Sequence, residues 1–270
     1  MAAQSPRTVV LTGATSGIGL ETAQHLAAQV DHLVVQGPEP ADAVRDQRTA
    51  IAQSGGAAVT YVAADFSSLA DVARAAAAIR EATGGAIDAL INDAGVPGAQ
   101  RRVVTGDGHE RTLQINYLAL VLLSELLLPS IAPSGRIVNL ASATHQSASL
   151  DLGDIELARD YSPVRAYARS KLAIVMYTLW RARVHPDGPT FVSLQPGVIN
   201  TGLLDAMFGR IGTSVDVGAS SVLAALSAPA RGGEYFDEGR IARASAEARD
   251  VALGDALMAW TFTALSPHLR

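Results

Sequence analysis

The chain has 270 residues, a formal charge of −5 and no cysteine. Its acidity, without any basic run, argues against nucleic acid or an anionic membrane as partner; the missing cysteines exclude disulfides, thiolate metal sites and a cysteine nucleophile, and suit a reducing cytoplasm. An apolar fraction of 49% supplies a large core, and α/β folds reach this length as one domain spanning 1–270.

Along the chain, short β-branched runs alternate with longer Ala/Leu segments of helical period. A first strand is expected at 8–13, with no signal-peptide apolar region before it. The Gly-rich "TGATSGIG" (12–19) and a helix over 17–29 follow. Then come a strand at 32–37 and a helix at 40–54, a strand at 58–65 and a helix at 68–83, and a strand at 87–93 and a helix at 105–129. A strand at 135–142, a helix at 163–184, a strand at 190–197, a helix at 215–228 and a weaker strand at 232–236 complete the series. The most apolar run, 117–129, is broken by Ser124 and Glu125 and is too short to span a bilayer, so it reads as a buried helix.

The strands are apolar nearly throughout, as in a parallel sheet covered on both faces. The alternation predicts a Rossmann-type, doubly wound α/β fold of about seven strands with helices on both sides. Ligands in such sheets sit beyond the carboxyl ends of the strands. Those ends carry "TGATSGIG", Asp65, "NDAG" (92–95), Ser142 and "PGVINTG" (196–202).

Gly13, Gly17 and Gly19 allow a tight turn and close approach to a pyrophosphate at a helix N-terminus. Glycines also close ordinary turns, so the motif gains weight from its place after the first strand. Tyr167 and Lys171 stand at i and i+4, on one helix face. An ammonium there favours the phenolate and suits proton exchange with an alcohol or ketone, although such a pair alone more often marks a surface lysine beside a half-buried tyrosine. Ser142 ends the fifth strand, where it could equally cap the next element. Asn116 lies mid-helix, where it could equally be a satisfied core amide.

Taken together and in order, "TGATSGIG", Asp65, "NDAG", Asn116, Ser142, "YARSK" (167–171) and "PGVINT" resemble the short-chain dehydrogenase/reductase family over essentially the whole chain. "GDGHERTLQINYLALVLLSELLLP", "GRIVNLASATH" and the long gap between Ser142 and Tyr167 are most similar to its retinol-dehydrogenase-like branch. The resemblance implies Tyr167 as the acid/base at the substrate oxygen and Ser142 as its hydrogen-bonding partner. Lys171 would lower the Tyr167 pKa and hold the nicotinamide ribose, and Asn116 would hold a water on the proton path through its backbone carbonyl. Gly13, Thr15, Ser16, Gly17, Ile18 and Gly19 would surround the pyrophosphate. Asp65 and Phe66 would meet adenine, and Asn92, Ala94 and Gly95 would line the adenosine ribose side. Pro196, Gly197, Val198 and Thr201 would reach the nicotinamide end. Asp93 replaces a usual amide, for which a structural cost is expected. No metal is implied.

The expected chemistry is hydride transfer between a nicotinamide and a carbonyl or secondary alcohol. The alternatives are a cofactor-consuming partner in other redox chemistry such as hydroxylation, and a non-catalytic NAD(P)-binding sensor. An inserted segment, 146–162, is expected as a lobe near the site, and 200–215 as a mobile lid. His145, Gln146, Leu203, Leu204, Met207 and Phe208 are candidates for an apolar substrate pocket; the last four could instead pack on the adjoining helix. The Ala-rich composition points to a ketoreductase of bacterial secondary metabolism acting on a polycyclic or aromatic small molecule. The two helices at 105–129 and 163–184 would form a homodimer face unless 146–162 blocks it.

Cofactor choice rests on "VVQGPEP" (34–40). An acid after the second strand reads the ribose hydroxyls, and an arginine there takes a 2′-phosphate. Gly37 and Pro38 do neither, and Pro38 and Pro40 are expected to aim Glu39 elsewhere. The loss of the acid favours NADP(H) over NAD(H), with Arg45 or Arg48 available to swing back.

Overall fold

The chain is described by a computed structural model covering residues 7–269; the approach to the first strand over 1–6 and residue 270 lie outside the described residues. The sheet runs β1 (Thr8–Thr12), β2 (His32–Gly37), β3 (Ala58–Ala63), β4 (Ile87–Asn92), β5 (Ile131–Leu140), β6 (Thr190–Gln195), β7 (Tyr235–Asp237) and β8 (Arg240–Ala242). Their spatial order is β3-β2-β1-β4-β5-β6-β7-β8. All pairs are parallel except β7 with β8.

Successive residues of a strand face opposite sides, and the central strands feed two separate cores. Val10 and Leu90 pack with α3 (Leu69–Thr83), α5 (Ala119–Leu127) and α6 (Pro163–Val184); Val9, Leu11 and Ile91 pack with α1 (Gly17–Ala27), α2 (Arg45–Gln53) and α8 (Val215–Ser227). This double burial is why the strands carry no polar alternation.

Four details differ from the sequence reading. The sheet has an eighth strand among the described residues, because Glu238 (φ 49°) and Gly239 (φ 81°) turn the chain straight back after β7. The second helix begins at Arg45 rather than 40. The fourth begins only at α4 (Arg111–Leu113), since 105–109 closes a turn of its own and the Glu110 carboxylate then caps the helix through Thr112 and Leu113 N–H. Finally, α9 (Val251–Leu265) follows a stretch with no assigned element, capped by Asp250.

The 146–162 insert packs against the body of the protein. It tucks Leu150, Ile155 and Leu157 into the core, and its Glu156 carboxylate accepts from Glu110 N–H at 2.6 Å and pairs with His109 Nδ1 at 2.7 Å. The apolar helix over 111–130 has the length and composition to cross a membrane, but 78% of its most apolar window is buried inside the protein.

Candidate active site

A cavity of about 520 Å³ opens where the strand order reverses, between β1 and β4, the position at which doubly wound sheets bind ligands. Gly13, Thr15, Ser16, Gly17 and Ile18 form one wall, Asp65 and Phe66 one end, and Ala94, Gly95 and Thr201 the other side. Gly13 has φ 70°, and a Cβ there would come within 2.8 Å of Ala94 Cα, so only glycine fits beside the end of β4. The free N–H groups of α1 point into this space and suit a pyrophosphate. The elongated cavity, its backbone cradle and the apolar slot of Phe66 and Ile115 fit a nicotinamide dinucleotide.

Two residues expected along this wall are elsewhere. Gly19 lies beneath the turn, against the Gly13 carbonyl and the Asp93 carboxylate. Asn92 is buried and does not line the cavity. Its Nδ2 donates to Ser124 Oγ at 3.0 Å and Asn139 Oδ1 at 2.9 Å, tying β4 to α5 and β5.

Gln36, Pro38 and Glu39 also line this cavity. Glu39 does not face away, as the flanking prolines led us to expect. Its Oε2 is buried and has no hydrogen-bond partner, and Tyr61 Oη anchors its backbone by donating to the Glu39 carbonyl at 2.7 Å. Burial first, and the Glu39 charge second, push the Tyr61 phenol up to about 12. Arg48 lies over the Tyr61 ring and Arg45 pairs with Asp42; neither lines the cavity.

A second cavity of about 260 Å³ adjoins the first and shares Ile18, Asp93, Gly95, Thr201 and Leu203 with it. Ser142, at the end of β5, and Tyr167 and Lys171, one turn apart on α6, line it together. Ser142 begins a short 3₁₀ turn by accepting from Thr144 N–H. Lys171 Nζ donates to the Leu140 carbonyl at 2.8 Å and lies 5.5 Å from the centre of the Tyr167 ring. Asn116 sits in a π-helical turn, Gln114–Leu118, of the kind often found at functional sites. Its amide is fully committed: Oδ1 accepts from Val96 N–H, and Nδ2 donates to the Val96 carbonyl and Ser170 Oγ.

The electrostatics differ from the simple Tyr–Lys picture. Burial pushes the Tyr167 phenol up to about 12; the Ser142 hydroxyl opposes this and the Asp93 charge adds to it. Burial lowers Lys171 to about 8, with Asp93 holding it up against that loss. Asp93 is itself raised to about 7 by desolvation, with Lys171 and the Gly19 N–H acting against it. Asp93 therefore belongs to the charge balance of the site, a role the sequence reading did not give it.

Around the second cavity stand Ala143, Thr144, Pro196, Gly197, Val198, Ile199, Leu203, Leu204 and Ile211. His145 and Gln146 do not join them. His145 is fully buried, with Nδ1 2.7 Å from the Ser142 carbonyl and its ring edge-on to Tyr235; Gln146 turns outward to the Arg243 carbonyl. The expected loop lid is a short helix, α7 (Gly202–Phe208), capped by Thr201 Oγ1 and footed by the Ile199–Thr213 bridge. Met207 does not line the cavity, and the Phe208 side chain lies outside the described residues. Ile211 and Thr144 lay outside the sequence reading, since only the folded chain brings them beside Tyr167. Among the described residues, one His/carboxylate trio (Glu21, His25 and Asp216) clusters, at the surface between α1 and α8 and apart from both cavities.

Comparison with known proteins follows the same lines. The short chain dehydrogenase family model matches residues 7–210. Mouse (Mus musculus) polyprenol dehydrogenase is 36% identical over 209 residues, covering 74% of this chain and 62% of that protein; this chain thus spans under two thirds of its length. A Streptomyces sp. (strain C5) protein assigned as a daunorubicin C-13 ketoreductase, DnrU, is 33% identical over 258 residues, covering 92% of this chain and 88% of that one. Among solved structures, an uncharacterized protein from Mycobacterium Paratuberculosis superposes with a TM-score of 0.80 at 27% identity, covering 96% and 93% of the two chains. The chain belongs to the short-chain dehydrogenase/reductase family.

Proposed function

We propose that this enzyme interconverts a ketone and a secondary alcohol on a bulky apolar small molecule, with reduction as its working direction. One observation carries the reading: Ser142 and Tyr167 line an apolar cavity that opens directly onto the dinucleotide cavity. A carbonyl oxygen between the two hydroxyls gains two hydrogen bonds as negative charge develops on it. With its phenol pushed up to about 12, Tyr167 is protonated at neutral pH and ready to donate. Lys171 supplies a positive charge beside that phenol, and the committed amide of Asn116 fixes Val96 on the wall of the dinucleotide cavity. A bound nicotinamide supplies the hydride.

The apolar lining from Val198, Ile199, Leu203, Leu204 and Ile211 suits a fused-ring or aromatic ketone. The likeness to DnrU, a protein assigned as a daunorubicin C-13 ketoreductase, supports ketone reduction. With no cysteine and a net acidic chain, the cytoplasm is the compartment that this reading takes. The NADP(H) preference expected from Gly37 took Glu39 to face away; the Glu39 side chain instead lines the dinucleotide cavity.

The test is turnover of a polycyclic aromatic ketone with reduced nucleotide. Alcohol should form in step with nucleotide oxidation. Tyr167→Phe should lose about 10²–10⁴-fold in kcat while nucleotide affinity stays within about twofold. Nucleotide oxidation without alcohol would point instead to other redox chemistry, and binding without turnover to a sensor.

A further inference from the structure

His145 lies outside the substrate cavity, yet it grips the backbone of Ser142. Its side chain is wholly enclosed and both ring nitrogens are engaged. Nδ1 stands 2.7 Å from the Ser142 carbonyl, which also accepts the His145 backbone N–H at 3.1 Å. A carbonyl only accepts, so Nδ1 carries the proton. Nε2 stands 3.4 Å from the backbone nitrogen of Ser245, which only donates, so Nε2 offers its lone pair. The ring is thus the neutral Nδ1–H tautomer. Burial lowers its pKa against the Ser142 hydrogen bond and the Asp237 charge, and so keeps it neutral. Ser245 belongs to the stretch between β8 and α9, which lines neither cavity. Two more contacts close that stretch onto the loop after Ser142. Gln146 Nε2 donates to the Arg243 carbonyl at 3.1 Å, and Leu150 N–H donates to Glu247 Oε1 at 2.9 Å. Of these three contacts, the one through His145 also reaches Ser142.

We propose that His145 is a positioning residue for Ser142: it bridges the serine carbonyl to the Ser245 N–H, so that the 243–248 segment holds the serine hydroxyl in line with Tyr167. The inference rests on the ketone-reduction reading above. Tyr167 needs no such help, since it stands within a 22-residue helix. Ser142 does. The ladder of β5 ends at Leu140, and the last sheet bond there is that of Ala141 N–H to the Leu194 carbonyl. Beyond it, among the described residues, the Ser142 carbonyl is held by His145 alone, through its backbone and its ring. The serine hydroxyl has only the Thr144 N–H, at 3.3 Å. Two hydroxyls that must meet one substrate oxygen tolerate little drift, because a misplacement of about 1 Å costs on the order of a hundredfold in rate. An anchor at the serine backbone therefore bears on kcat without touching the substrate.

Two substitutions separate the two bonds of the ring. His145→Gln sets an amide oxygen where Nε2 stands and releases Ser142. His145→Asn sets an amide N–H where Nδ1 stands and leaves Ser245 unmet. Each loses one buried hydrogen bond, so both should lower Tm to a similar degree. With 2-tetralone, a fused-ring ketone, and reduced nucleotide, His145→Gln should lose at least about tenfold in kcat with nucleotide affinity unchanged. His145→Asn, the conservative replacement at Nδ1, should restore kcat to within about threefold of wild type. In a Ser142→Ala background, His145→Gln should cost less than about twofold further, because the group it positions is gone. Equal kcat losses in the two variants, or an undiminished loss in the Ser142→Ala background, would mark His145 as a packing residue and overturn the proposal. Ser142→Ala that turns over as fast as wild type overturns the ketone-reduction reading itself. If wild type leaves 2-tetralone unreduced, that reading fails for this ketone, and amide exchange decides the positioning role. Thr144 N–H, which rests on Ser142 Oγ, should exchange at least about tenfold faster in His145→Gln than in His145→Asn; equal rates overturn the proposal. Should neither variant fold, nitrogen NMR of the wild-type ring at neutral pH decides. The neutral Nδ1–H form is expected, and an Nε2–H or doubly protonated ring overturns the bridge.

Discussion

Asp93 and Asn92 are chain neighbours with opposite assignments, because adjacent residues at a strand end point to opposite sides. Asn92 turns inward and ties β4 to its neighbours; Asp93 turns to the cavities and meets the field of Lys171. The sequence predicts only a structural cost at Asp93, since side-chain direction is not written in residue order. Asp93 raises the Lys171 pKa, so Asp93→Asn should lower it further from about 8. The ammonium would then be lost at lower pH, and the alkaline limb of the kcat profile should move down by about 1 unit. An unchanged limb would show that Lys171 does not govern it. Asn92→Ala, by contrast, removes two buried hydrogen bonds. It should cost about 1–3 kcal/mol of stability, read as a lower Tm, with nucleotide affinity unchanged. His145 carries the same lesson as Asp93: its nearness to Ser142 in the chain suggested the pocket, and the 3₁₀ turn sends its ring into the core.

At the scale of elements, the buried strands and long helices were legible because hydrophobic period reports burial directly. The places that escaped are those where local geometry departs without a change of pattern. The π turn at Gln114–Leu118 has the composition of an ordinary helix. Helix α7 was hidden by its glycines, although Thr201 is the sort of residue that starts a helix. Thr201 both caps α7 and lines the two cavities. Thr201→Val keeps the shape and removes the cap, at about 1 kcal/mol. The loosened segment should be cut faster by protease within 202–212 and should raise KM for the ketone more than it lowers kcat. Equal proteolysis of variant and wild type would show that the Ile199–Thr213 bridge, not the cap, holds this cover.

For the whole molecule, the question is what lies across α5 and α6. The sequence reading gave these helices to a homodimer and left the obstruction to 146–162. The structure sets α9 across α6 and the π turn at Gln114–Leu118. Tyr117 Oη meets Thr261 Oγ1 at 2.7 Å, His109 lies edge-on to Trp260, Trp180 packs on Phe262, and Arg183 pairs with Asp255. Leu257 and Met258 are wholly enclosed. With that part of α6 buried by α9, the protein is expected to run as a single chain in light-scattering chromatography. Ending the chain before Val251 should uncover Trp180 and the Tyr117 hydroxyl and produce dimers or aggregates. A clean dimer of the full chain would show that association uses another face.

The Tyr117–Thr261 contact joins residues 144 positions apart. During synthesis, the stripe of α6 that α9 will cover waits uncovered until most of the chain has been made. Pairings this distant form late and leave apolar surface open meanwhile. The nascent chain should thus be most prone to misassociation just before α9 appears, and slow decoding between 180 and 250 would lengthen that interval without altering the folded product.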